Sequence, residues 1–358
     1  MKIVFLTQAT EQGASSRYRV YQYIPHLEKA GIECLVLPAI PKSVHKQFFY
    51  SKCVCTKIIV YLYVFLKRLF QIPKICSADI VFIQKPVLPY CWPVIERLIK
   101  LCGKKIVFDL DDAIFYRSPK WGRADGEIIE DPNFKRIMRL SDAVLAGNEY
   151  LAYKARQFNS NVHVLPTVID TDHYKYTSGE ARETEKIVIG WIGSPTTLFY
   201  IDGLREVFQR LAKEREFVLK IVGAVEYSIP GVDIICEDWY PEKEIEQLRS
   251  FDIGIAPLID DEWSSGKCGL KMLLYMACGV PVVASPYGVN GKMIDNNKTG
   301  ILVEIKEEWH QKLKNLMDNA DVRDKLRHNA RAGVESSYSL KRSSEIFIKT
   351  MFNIKGEK

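Results

Sequence analysis

Gly269-Leu270-Lys271-Met272-Leu273-Leu274-Tyr275-Met276-Ala277-Cys278-Gly279-Val280-Pro281-Val282-Val283-Ala284-Ser285 reads as a helix, an abrupt stop and a buried strand. Gly279 suits the left-handed residue that closes a helix, and Pro281 cannot continue one. The apolar run that follows is too short for a helix and does not alternate, as expected of a strand covered on both faces. Working outward, the same alternation recurs along the chain. Ile187 to Trp191, Phe217 to Val222, Ile253 to Ala256, Val280 to Ala284 and Gly300 to Val303 are expected strands. Tyr200 to Lys213, Glu242 to Arg249 and Gly269 to Ala277 are the helices expected between them, and 309–320 and 322–335 follow as helices. Upstream, Lys2 to Thr7, Glu33 to Leu37, Ile80 to Ile83, Lys105 to Phe108, Ala143 to Ala146 and Val162 to Leu165 read as strands. Arg17 to Ala30, Val94 to Cys102, Glu149 to Phe158 and the tail from Leu340 to Phe352 read as helices. Alternation of this kind specifies an α/β fold with parallel sheets covered on both faces. The polar stretch Thr177 to Lys186 is the expected boundary between two such domains.

The chain has 358 residues, which suits about two domains. With 47% hydrophobic and 26% charged residues it is neither disordered, collagen-like nor a disulfide-stapled scaffold. A net charge of +6 admits anionic substrates, nucleic acid or anionic lipid and selects none of them. Nothing resembling an aromatic-basic module or zinc spacing supports nucleic acid. The nine cysteines are odd in number and scattered, which suits reduced thiols in a cytoplasmic protein and no metal site. The apolar start Met1 to Leu6 ends at Thr7-Gln8, too soon for a secretory signal, and reads as a first strand.

One segment departs from the average. From Cys34 to Ala78 there is no Asp or Glu, whereas Lys42, Lys46, Lys52, Lys57, Lys67, Arg68 and Lys74 all fall there. Within it, Ile58 to Leu66 is wholly apolar. As a helix that run rises only about 14 Å against a bilayer core near 30 Å. Two readings remain: residues 42–74 meet an anionic membrane surface, or they form a core helix with solvated lysines.

In parallel sheets, ligand groups come from the segments just after strands. Four such segments stand out. Gly13, Ser15, Ser16 and Arg17 combine a permissive backbone, two possible helix caps and a cation, suiting a substrate loop or a capped turn. Asp109, Asp111 and Asp112 gather carboxylates at a strand mouth, to bind a hydroxylated substrate, hold a metal, act as a base or, for Asp112, cap a helix; a metal is the weaker reading, since no comparable carboxylate group recurs nearby. Gly193 and Ser194 follow a strand and suit phosphate oxygens or a plain turn. Gly266, Lys267, Gly269, Leu270 and Lys271 place two cations four residues apart at an expected helix start, suited to a diphosphate. The spacing is not that of a P-loop, because Cys268 follows Gly266-Lys267.

At this last segment the chain resembles the retaining GT-B glycosyltransferases of family 4, particularly members that build cell-surface polysaccharide. Gly269-Leu270-Lys271, Gly279-Val280-Pro281-Val282-Val283-Ala284-Ser285 and the upstream Ala256-Pro257-Leu258 carry the resemblance. Val164 to Asp170, the Gly13 loop and Phe108 to Asp112 are similar as well. The resemblance implies two Rossmann-like domains facing across a cleft, 1–176 binding acceptor and 177–338 binding a nucleotide-sugar donor, with helix 339–358 crossing back to the first. It implies sugar transfer with retention, from a nucleotide-diphosphate sugar to a glycan or lipid-linked acceptor, with no metal or other cofactor. Lys267 and Lys271 would stabilise the leaving diphosphate, aided by Gly193, Ser194, Gly266, Gly269 and Leu270. Asp109 or Asp111 would orient or deprotonate the acceptor, bound by Gly13, Ser15, Ser16, Arg17 and Asp112. The family often carries two glutamates eight positions apart, where this chain has Gly266 and Leu274, and its usual first-domain histidine is not evident. A nucleotide-sugar-binding protein without activity, or an epimerase of the same fold, is therefore the alternative.

Overall fold

The computed structural model describes residues 1–42, 53–88, 91–116, 131–176 and 186–356. Two compact units make up the chain, Met1–Thr167 with Leu340–Lys358, and Val168–Ser339. The division lies upstream of the polar stretch, of which 177–185 falls outside the described residues.

The first unit is built on six parallel strands, β1 (Lys2–Ala9), β2 (Glu33–Ile40), β3 (Ile80–Gln84), β4 (Lys105–Leu110), β5 (Ala143–Ala146) and β6 (Val162–Val164), in the order β2-β1-β3-β4-β5-β6. Ile3 to Leu6, Ile80 to Ile83 and Ile106 to Phe108 are almost wholly buried, as strands covered on both faces must be. The terminal helix Leu340–Lys355 packs back on this unit. Its Phe347 sits edge-on to Tyr23 and Phe82, with ring centroids 4.9 and 5.6 Å away, and Ser343 Oγ lies 2.7 Å from the Tyr23 hydroxyl. Burying a phenylalanine in this way is worth about 1.5–3 kcal/mol.

The second unit has its own six parallel strands, β7 (Ile187–Ile192), β8 (Phe217–Val222), β9 (Ile234–Glu237), β10 (Ile253–Ala256), β11 (Val282–Ala284) and β12 (Ile301–Leu302), in the order β12-β11-β10-β7-β8-β9. Its core joins Ile189, Trp191 and Ile255 to Phe208, Leu313 and Leu316 of the covering helices.

In each sheet the order reverses direction beside the first strand. Those switch points lie at β1/β3 and at β7/β10. Flanking connections leave to opposite faces there, opening a crevice at the carboxyl ends of the two strands.

Three expectations need correcting. The helix expected over Arg17 to Ala30 is broken into Ala14–Arg19, the short turn Tyr21–Tyr23 and Ile24–Lys29. Val20 leaves helical geometry at φ −129°, and Pro25 lacks the N–H a continuous helix needs. The helix expected over Tyr200 to Lys213 divides into Phe199–Asp202 and Arg205–Ala212 around Gly203. Strand β9 was not expected, because Asp233 and Glu237 flank an apolar stretch too short to register.

Candidate functional site

The first unit brings three loops to its switch point. The loop after β1 leads into helix Ala14–Arg19, capped by Gly13. A Cβ on Gly13 would stand 2.8 Å from that of Ala9, so the loop closes tightly only with glycine. Neither serine caps this helix. Ser16, only 1% exposed, accepts from the Ala9 N–H at 3.3 Å and donates to Gln84 Oε1 at 3.0 Å. It ties β1 to β3. Arg17 stacks on the Tyr18 ring at 4.7 Å and donates to its hydroxyl at 3.3 Å.

After β3 comes Lys85, a residue the sequence reading passed over. Its φ of 66° is left-handed, a conformation that costs a side-chain-bearing residue energy and commonly marks a functional position. This turn aims the ammonium inward. Lys85 Nζ donates to Ser15 Oγ at 2.9 Å and stands 3.5 Å from Asp111 Oδ1. At that separation the two form an ion pair, while Asp111 Oδ1 is buried and takes no hydrogen bond.

The carboxylates after β4 have three different fates. Asp109 is fully buried against Arg19, whose Nη2 reaches Oδ1 at 2.5 Å and whose Nε lies 3.1 Å from Oδ2. The same guanidinium donates to the Leu165 carbonyl at 2.6 Å. Burial pushes the Asp109 carboxyl up, Arg19 pulls it down and the nearby Asp111 charge pushes it up again. Asp109 is thus an internal strut, not an approachable base. Asp112 accepts from the next N–H, that of Ala113, at 2.9 Å and closes a turn. Among the three, Asp111 alone keeps a buried oxygen that takes no hydrogen bond. Burial raises its carboxyl, but Lys85, the Ser15 hydroxyl and Arg19 outweigh burial and hold it below the ordinary carboxylate range.

The second unit is assembled differently. Gly193 follows β7, and a Cβ there would stand 2.5 Å from the Trp191 ring and 3.0 Å from Lys271 Cε. Lys271, on helix Leu270–Ala277, lies over the Trp191 ring with Nζ 4.5 Å from its centroid. Gly269 precedes that helix at φ +71°, which favours glycine, and a Cβ would strike Met293. Tyr275, one turn on, accepts from the Ile192 N–H at 3.1 Å and donates to the Ile255 carbonyl at 3.3 Å. It thereby fixes the helix to β7 and β10, the two strands of the switch point.

Lys267 and Lys271 do not share a helical face, as their spacing suggested. Gly266 ends the short helix Glu262–Ser265, and Lys267 lies in the link before Leu270 with its ammonium 4.9 Å from the Trp263 ring centroid. Ser194 is half-buried, 2.8 Å from Thr196 Oγ1. Leu270 is the first residue of the helix, and Leu274 within it is buried, 3% exposed. Among the described residues no three His, Cys, Asp or Glu side chains converge to hold a metal ion.

Residues 186–319 match the family model of glycosyl transferases group 1. Over 91 residues the chain is 32% identical to D-inositol 3-phosphate glycosyltransferase of Paenarthrobacter aurescens strain TC1, an alignment spanning 25% of this chain and 21% of that enzyme. Among solved structures it is similar to Anabaena HepE in complex with UDP-glucose, with a TM-score of 0.73 at 13% identity over 99% of this chain and 100% of that one. Sucrose-phosphate synthase from Thermosynechococcus elongatus superimposes with a TM-score of 0.70 at 12% identity, over 99% of each chain. A glycosyltransferase from Rickettsia africae gives 0.68 at 16% identity, over 99% of this chain and 98% of that one. At such identities the likeness is one of architecture, and the fold is that of the GT-B glycosyltransferases.

Proposed function

We propose that the protein transfers a sugar from a nucleotide-diphosphate sugar to a glycan or lipid-linked acceptor, with retention of anomeric configuration. The observation that carries this reading is Lys271 held over Trp191 beside Gly193, at the β7/β10 switch point of the segment that matches group 1 glycosyl transferases. Unit Val168–Ser339 binds the donor. Lys271 and Lys267, with the amides around Gly193 and Gly269, meet the diphosphate. Charge accumulates there as the bond from the anomeric carbon to the phosphate oxygen breaks, so cations set in advance favour the transition state.

The first unit binds the acceptor. Asp111 accepts the acceptor hydroxyl's hydrogen bond and aims its oxygen. A carboxylate held below the ordinary range is a weak base, so Asp111 positions and does not keep the proton. The new bond joins the acceptor oxygen to the anomeric carbon. The diphosphate leaves with the electron pair of the old bond and takes the proton. Lys85 and Ser15 keep Asp111 ionised and in place. Protein and acceptor meet at the cytoplasmic face of a membrane, through residues 42–74.

Mass-spectrometric screening of nucleotide sugars with lipid-linked acceptors tests the reading: a new glycoside must form, and Lys271→Ala must slow its formation. A second reading, donor binding without transfer, is favoured by the apolar Leu274 and by Gly266 at the two positions where similar enzymes carry glutamates. Donor binding with no product from any acceptor would select it. A donor changed at one carbon without transfer would instead reveal an epimerase.

A further inference from the structure

Two basic residues expected to face lipid, Lys67 and Arg68 of helix Val54–Cys76, are hooked onto strand ends instead. Arg68 Nη1 donates to the Leu37 carbonyl at 2.7 Å and Nη2 to the Thr7 carbonyl at 3.0 Å, and Lys67 Nζ donates to the Pro38 carbonyl at 2.8 Å. Cations of the first unit turn outward on two other helices, Val94–Leu101 and Pro132–Leu140. Trp92, just before the first of these, is 50% exposed, with Arg97 Cζ 4.0 Å and Arg136 Cζ 5.4 Å from its ring centroid. Phe158 has Arg139 Cζ at 5.3 Å and Lys135 Nζ at 5.6 Å from its own. Arg97 and Arg139 are exposed, and Lys135 and Arg136 are half-buried.

The carboxylates on and beside these helices are engaged elsewhere. Glu96 is buried and accepts from the Val87 N–H at 3.0 Å. Asp131 is buried and caps the second helix at the Asn133 N–H. Asp142 has both oxygens 2.7 Å from Lys100 Nζ. Among the described residues no carboxylate pairs with Arg97, Arg136 or Arg139; Arg136 spends one N–H on the Asn133 side chain at 2.8 Å. A guanidinium held over a ring keeps the N–H groups at its rim for a partner, and its fork matches a carboxylate or phosphate. With two cations on each ring, stacking is already used. A nucleobase finds little to stack on, and charge is what the surface offers.

We propose that this surface binds an acidic glycan, one whose sugars carry carboxylates at intervals, as the chain already built on the acceptor. The cations span two helices, so acid groups repeated along a chain complement them better than a single head group does. Both helices also set out from the links that carry the acceptor residues. Val94 follows β3 through the link that holds Lys85, and the Asp131 N–H donates at 2.7 Å to the carbonyl of Phe115, in the link after β4 that holds Asp111. A glycan whose growing end lies at Asp111 can therefore lay its earlier sugars across Trp92 and the arginines. The inference rests on the proposed transfer for the identity of its ligand.

Fluorescence anisotropy of a labelled oligogalacturonate is the test, with a labelled maltooligosaccharide as its neutral match. The wild-type chain must bind the first and ignore the second. A variant combining Arg97→Ala, Arg136→Ala and Arg139→Ala must bind about tenfold more weakly, the loss expected of three exposed ion pairs, with unchanged circular dichroism. A control combining Lys213→Ala, Lys325→Ala and Lys349→Ala removes the same charge from other exposed positions and must stay within about twofold of the wild type. No binding, an equal loss in the two variants, or tighter binding of polyuridylate or phosphatidylglycerol vesicles through the same arginines overturns the proposal. The assay holds no donor, so its outcome is separate from that of transfer. Glycan binding without transfer keeps this site and removes the proposed activity, and transfer without glycan binding removes this site alone.

Discussion

The two switch points solve the same task with opposite materials. At β1/β3 the first unit buries charge and compensates it, Arg19 against Asp109 and Lys85 against Asp111. At β7/β10 the second unit holds its lysines against indole rings beside close-packed glycines. A carboxylate holds a cation by opposite charge, whereas a ring face holds it through the ring's quadrupole. In the proposed function the first arrangement meets a neutral hydroxyl and the second a group that arrives with negative charge. The contrast follows from geometry within each unit alone.

The largest expected effect comes from breaking the buried pair. Arg19→Met leaves the buried Asp109 carboxyl without its partner, and should destabilise the first unit by about 3–5 kcal/mol. Urea unfolding followed by near-ultraviolet circular dichroism measures it; a loss near zero would mean that Asp109 is not a strut. Next in size is Lys271→Ala, which should lower donor kcat/KM by about a hundredfold, with a smaller loss for Lys267→Ala. Equal kinetics in both variants and the wild type would erase the functional contrast between the units. Asp111→Asn should lower transfer by about tenfold and leave donor affinity unchanged, separating the two units by ligand. Donor binding measured by calorimetry beside acceptor turnover decides it.

Lys85→Met sharpens the comparison through pH. Asp111 has a folded value below the ordinary ~3.9. Its ionised form is therefore favoured in the folded chain. That contribution to stability is complete above the unfolded value and is lost only as pH falls through the lower folded value. With Lys85 removed, burial dominates, so the acid limb of the transfer rate should move to higher pH. An unmoved limb would mean that Lys85 does not govern Asp111. The smallest effect belongs to Tyr275→Phe, which loses the hydroxyl bonded to Ile192 and Ile255 and should cost about 1 kcal/mol of stability.

The α/β alternation, and with it both sheets, was legible because fully buried strands write themselves as unbroken apolar runs. Val282 to Ala284 and Ile80 to Ile83 are examples. The loops that carry the sites were legible by position, since each follows a strand. Their internal division of labour was not. Asp109, Asp111 and Asp112 are equivalent on paper, and Arg19 and Lys85, distant in sequence, decide which of them keeps a buried oxygen without a hydrogen bond. Lys267 and Lys271 suggested one helical face, but Gly269 in its left-handed conformation starts the helix between them. The 54–76 helix was half visible: its apolar run showed, while the use of Arg68 as an internal hook depends on the carbonyls of Thr7 and Leu37.

A crystal structure with a bound nucleoside diphosphate tests the central claim most directly. The account predicts the phosphates in unit Val168–Ser339, within hydrogen-bond reach of Lys271 and Lys267 and against the Gly193 turn. Phosphates seated away from both lysines and from that turn would contradict it.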